Sequence, residues 1–150
     1  MRRLLASLFA LGIAALGCGG GDRGGDGPVP GRFQGGAQIT IGFGDSSERL
    51  EVWTTSEAFH DEARVLLGQR GAKVPVFDLV DGAGCDPHFT WHTDPATPKF
   101  VDATIELCDG LPSYVEADKA TWLGTVKRLC PWSGWVVAVR TPVASPDACR

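Results

Sequence analysis

His88 and His92 stand four residues apart. On a helix that spacing lets two imidazoles share a metal ion. The intervening Phe89-Thr90-Trp91 favours a strand instead. There the rings share a face but sit about 13 Å apart, at roughly 3.3 Å per residue. A metal would need Asp86, Asp94, Glu106 or Asp109 folded towards a single histidine, so structural, hydrogen-bonded histidines are expected, and no metal. The same carboxylates offer acid–base chemistry. His92 beside Glu106 or Asp109 could serve a small hydrolase, the alternative to a non-catalytic domain.

Gly44-Asp45-Ser46 follows an apolar strand and resembles the first block of GDSL-type hydrolases, whose serine is the nucleophile and opens a helix. Here Ser46 precedes further alternation, which predicts a hairpin turn. The D-x-x-H that would supply the base is absent from the C-terminal end. The chain holds five Trp. Such side chains line clefts or fill small cores, and the core reading is preferred. If a cleft exists, Trp91, His92, Asp94 and Trp132 are its ligand-binding candidates.

The elements that position these residues follow from periodicity. Ala37, Ile39, Ile41 and Phe43 alternate with Gln38, Thr40 and Gly42, a half-buried strand. After the turn, Leu50, Val52 and Thr54 alternate with Glu51 and Trp53, completing a hairpin. Thr54-Thr55-Ser56-Glu57 caps a helix. Phe59, Ala63, Leu66 and Leu67 form its face, and Gly68 stops it. Val74–Val80 reads as a strand, with Pro75 suggesting an edge or a strand start. Phe89–Thr93 alternates again, and Val101, Ala103, Ile105 and Leu107 form the next apolar strand face. Pro112 opens a short helix to about Asp118, and Trp135, Val137 and Val139 mark the last strand. The prediction is a small α+β domain: a largely antiparallel sheet of about six strands packed with one main helix.

The N-terminus reads as an address. Arg2 and Arg3 precede an uncharged apolar run from Leu4 to Leu16, too short for the roughly 20 residues of a spanning helix. Ala15-Leu16-Gly17-Cys18 resembles a bacterial lipobox, so Cys18 is the expected lipidation site. The Gly-rich stretch to Gly31 cannot bury enough to order itself and reads as a tether. The chain therefore divides into a lipoprotein signal peptide at 1–17, lipidated Cys18 and tether at 18–36, and a globular domain at 37–150. Its expected location is the bacterial cell envelope. Gly19 rather than Asp after Cys18 favours the outer membrane or cell surface, by analogy with enteric sorting.

Net charge is −4. Loss of Arg2 and Arg3 on processing lowers Lys plus Arg from 14 to 12 against 18 acids, a net −6. No basic field exists for nucleic acid, so none is expected as a partner. Membrane attachment would rest on lipid at Cys18 alone. No Walker loop is present, and no predicted strand leads into a G-x-G-x-x-G turn, so no cofactor is expected. With Cys18 acylated, Cys85, Cys108, Cys130 and Cys149 remain, a disulfide set with three possible connectivities.

Trp91-His92-Thr93-Asp94-Pro95, then Thr104-Ile105-Glu106-Leu107-Cys108-Asp109, then Cys130-Pro131-Trp132-Ser133 form an ordered series. With Ala63-Arg64, Leu67 and Gly68 upstream, it resembles the N-terminal domain of the amoebal calmodulin-binding protein family, over about residues 37 to 140. The resemblance implies a domain type rather than a reaction. Calmodulin itself is not an expected partner, because no basic target-like helix occurs and the chain reads as extracytoplasmic. Cys108 and Cys130 belong to the family motifs while Cys85 and Cys149 do not, which implies the pairs Cys108–Cys130 and Cys85–Cys149. The leading expectation is a membrane-anchored lipoprotein whose domain binds an extracytoplasmic protein or ligand, without catalysis.

Overall fold

The computed structural model describes residues 32–149. The expected signal peptide, Cys18 and most of the tether lie outside these residues. Among those described, no helix is long and apolar enough to cross a membrane.

Two antiparallel sheets form the domain. In the first, β1 (Ala37–Phe43) pairs with β2 (Arg49–Thr54) on one side and β7 (Gly134–Arg140) on the other. The alternation in β1 buries Ala37, Ile39, Ile41 and Phe43 almost completely. Gly44-Asp45-Ser46 is the hairpin turn. The Ser46 amide donates to the Phe43 carbonyl, and its hydroxyl accepts from the Glu48 amide. Gly44 has φ +48°, in the left-handed region that favours glycine.

β7 departs from its expected face. Val136 is buried, while Trp135 and Val137 are only half-buried. The register explains this: Ile39 faces Val139 but Ile41 faces Val136, with an irregularity between Thr40 and Ile41. One residue of β7 is skipped, so the alternation changes face. Trp135 falls opposite Gly42, beneath the Arg70 guanidinium at 4.5 Å.

α1 (Glu57–Val65) begins at Ser56, whose hydroxyl accepts from the Phe59 amide. Thr54 instead accepts from the Ser56 amide. Phe59, Ala63 and Leu66 are buried as expected, but Leu67 is exposed because the helix ends before its turn. Phe59 stacks on Phe100 and meets Phe77 edge-on, joining helix to second sheet.

β3 (Val74–Asp81) organises that second sheet. It pairs with β5 (Lys99–Val101) along Val74–Val76, with β6 (Arg128–Leu129) along Phe77–Asp78, and with β4 (Trp91–Thr93) along Leu79–Asp81. Pro75 therefore does not mark an edge strand. It stands opposite Phe100 and at a strand start, and Gly134 lets β7 approach it, since a Cβ there would lie 2.8 Å from the Pro75 ring.

The strand expected through Val101, Ala103, Ile105 and Leu107 stops at Val101. The chain turns instead into a 3-10 segment, Glu106–Cys108, leaving Ile105 and Leu107 exposed. That turn brings Cys108 to Cys130, whose amide donates to the Cys108 carbonyl. α2 (Pro112–Ala117) starts with proline in its first turn. A short α3 (Lys119–Thr121) leads into a π-helical turn, Trp122–Val126. The disulfides are Cys85–Cys149 and Cys108–Cys130, the pairs implied by the family motifs.

Candidate functional site

Directly opposed residues of an antiparallel pair point to the same face of the sheet. Phe77 and Leu129 oppose each other, as do Pro75 and Phe100. Phe77, Leu129 and Phe100 belong to the main core. The intervening residues face away. Val76 opposes Lys99, Val74 opposes Val101, and Asp78 opposes Arg128. The back of the second sheet thus carries a valine floor with charges at its margin.

Val76, Cys108 and Cys130 form a second, small buried cluster, with Val74, Val101 and Val126 packed against it. The Cys108–Cys130 bridge pins the 3-10 segment over this face. The remaining opening is a groove of about 520 Å³, floored by Val76, Val101 and Ala103 and bounded by Ile105, Leu107 and Val126. Its volume falls within the roughly 300–1,000 Å³ typical of small-molecule sites.

Lys127 is placed by the π-helical turn. Its amide donates to the Trp122 carbonyl at 2.6 Å, and its backbone sits at φ +60°. It is the one non-glycine residue at positive φ among those described. Holding a lysine there costs about 1 kcal/mol, and π-turns occur frequently at functional sites. The Lys127 carbonyl then accepts from the Leu79 amide, docking the turn on β3.

Lys99, Lys127 and Arg128 line the groove against a single carboxylate, Asp78. Asp78 is already bound by Arg128 at 2.7 Å. Of the four described lysines, Lys73 pairs with Glu62 and Lys119 with Asp81. Lys99 and Lys127 make no ion pair among the described residues. Both are in the groove, in a chain with 18 acids.

The resolved pKa shifts lie outside the groove. Asp81 is held below the usual carboxylate range, chiefly by the Lys119 hydrogen bond and then by the Gly82 amide. Glu116 is lowered chiefly by the Thr90 amide, and Lys73 is raised by its hydrogen bond to Glu62.

The residues singled out in the sequence are not gathered in one place. His92 opposes Val80 in β4, and its Nδ1 lies 2.9 Å from the Gly82 carbonyl. Asp109 accepts from the Trp132 amide, and Glu106 opens the exposed 3-10 segment. These two flank Cys108 in the chain, whereas His92 lies on β4. Among the described residues, no hydrogen bond or ion pair joins His92 to Glu106 or Asp109.

Trp91 is 1 % exposed, and its Nε1 finds no hydrogen-bond partner. It is core. Asp94 closes a turn by accepting from the Ala96 amide. Trp132 alone reaches the groove margin, donating through Nε1 to Thr104, a lining residue.

His88 stands on Asp86, a carboxylate 4 % exposed that accepts from the amides of Glu51 and His88. The depression around this pair, about 560 Å³, has its other carboxylates occupied. Glu48 binds Ser113, while Glu51 accepts from Gln38 and Thr40. Among the described residues, no group of three or more His, Cys, Asp or Glu could hold a metal ion. His60, not singled out in the sequence, is fully buried between Phe33 and Thr141.

Lys99 and Lys127 were also missed. The one available signal was Lys127-Arg128 beside an apolar residue in an acidic chain.

No curated protein and no solved structure matches the chain significantly. The family model of the BP-74 N-terminal domain matches residues 40–143, which span both sheets, α1 and the groove, and the chain belongs to that family.

Proposed function

We propose that the protein is an envelope-anchored bacterial lipoprotein, lipidated at Cys18, whose domain binds a ligand in the groove behind the second sheet. One observation carries the binding reading: the two described lysines without an acidic partner both line an apolar-floored groove. The anchor rests on the apolar run, Ala15-Leu16-Gly17-Cys18 and the glycine-rich tether. Binding rather than catalysis is favoured, because no hydrogen bond or ion pair joins His92 to Glu106 or Asp109 among the described residues.

The test is capture from the native envelope with the lipid-free domain, compared with Ala103→Trp, which fills the groove. A ligand retained by the domain and lost with Ala103→Trp is the expected result. Equal capture by both would place binding elsewhere.

A further inference from the structure

We infer that the groove takes a small free amphiphile, with an oxyanion head, carboxylate or phosphate, on a short aliphatic body. This rests on the groove being the binding site. The head follows from charge. Lys99 opposes Val76 on β3, the Lys127 carbonyl docks on Leu79, and both residues line the groove. Arg128 is held by Asp78. Lys99 and Lys127, with no ion pair among the described residues, are left to meet an anion in the groove they line.

The body follows from the floor. Val76, Val101, Ala103 and Val126 offer no side-chain hydrogen-bonding group, and Ile105 and Leu107 stand 67 % and 64 % exposed beside them. An aliphatic chain laid there removes apolar surface from water at about 25 cal/mol per Å². A sugar or a free inorganic anion would leave that surface wet. The volume suits a small molecule rather than a folded partner.

The experiment is an amide-resolved NMR titration of the lipid-free domain with four probes. Octanoate has head and tail, octyl glucoside the tail with a neutral head, acetate the head alone, and phosphatidylglycerol vesicles present the head chemistry in a bilayer. Expected are saturable octanoate shifts at Thr104, Val126 and Lys127, with His88 unmoved. Octyl glucoside and acetate should bind at least about tenfold more weakly, roughly 1.4 kcal/mol. Lys99→Gln with Lys127→Gln should remove a similar factor without lowering the melting temperature.

Equal affinity for octyl glucoside would overturn the charge assignment while leaving the groove as an apolar site. Binding only to vesicles would overturn the free ligand. Octanoate shifts centred outside the groove, or a dimer broken by Ile105→Asp, would overturn the groove reading itself.

Discussion

Val76 and Phe77 are neighbours in the chain but belong to different interiors. Phe77 is fully buried in the main core against Phe59, while Val76 is buried with Cys108 and Cys130 on the opposite face. β3 is thus a wall between a large core and a small one. The small one, having only the 3-10 segment and the π-turn to cover it, stays partly open.

Replacing Lys127 separates stability from binding. Lys127→Gly relieves the left-handed backbone and should raise unfolding stability by up to about 1 kcal/mol, offset partly by unfolded-state entropy. The same change should weaken anion binding. Urea unfolding checks the first effect, and a loss of stability would show that the lysine stem contributes packing there.

The two disulfides should differ in reach. In the chain-entropy model the Cys108–Cys130 loop contributes about 3 kcal/mol and the Cys85–Cys149 loop about 4. We expect the reverse order in experiment. Val143 is buried and its amide donates to the Gly36 carbonyl, so the tail stays fixed that far, and only the partly exposed Pro146–Cys149 segment is released by Cys85→Ala with Cys149→Ala. Cys108→Ala with Cys130→Ala removes the centre of the small core. A larger drop in melting temperature for the Cys85 and Cys149 pair would contradict this.

Acid should loosen the hold of α2 and α3 on the end of β3 and on Thr90, just before β4. Asp81 and Glu116 are both held below their usual values of 3.8 and 4.5. Depressed carboxylates add stability that is fully present above those values and is lost as pH falls through the lower folded ones. Lys119→Met removes the chief cause at Asp81, so stability should fall less steeply between about pH 5 and 3. Identical acid limbs for variant and wild type would count against the assignment.

Trp91 should be silent in binding. It lies in the core with an unpartnered Nε1, so Trp91→Phe loses volume but also removes an orphan donor. The two effects oppose each other, and the net loss should stay under about 2 kcal/mol. Octanoate affinity should not change, whereas a large loss would return Trp91 to the ligand.

For the anchor, Cys18→Ser should abolish incorporation of a clickable fatty acid and release the protein from the membrane fraction. Equal labelling of both forms would refute lipidation at Cys18.

The first hairpin and α1 were legible in the sequence because each buries one regular face: Ile39 and Ile41 at period two, Phe59 and Ala63 at helical spacing. Where a register irregularity intervenes the pattern misleads, and Val136 rather than Val137 points inward. Ile105 and Leu107 alternate like a strand, yet no ladder partner meets them, so their spacing carried no strand. The groove was hidden for another reason. Lys99 and Lys127 come from distant parts of the chain and are joined only through their separate pairings with β3.

β1 is the middle strand of its sheet, and the chain enters it at Ala37. Its ladder bonds to β2 and β7 run across the strand direction. A pull on the N-terminal segment, while a bound partner holds the back of the second sheet, therefore loads those bonds in shear. They must yield together rather than one by one, as they would if an edge strand were peeled away. A domain tethered in this way would resist mechanical extraction better than its equilibrium stability suggests.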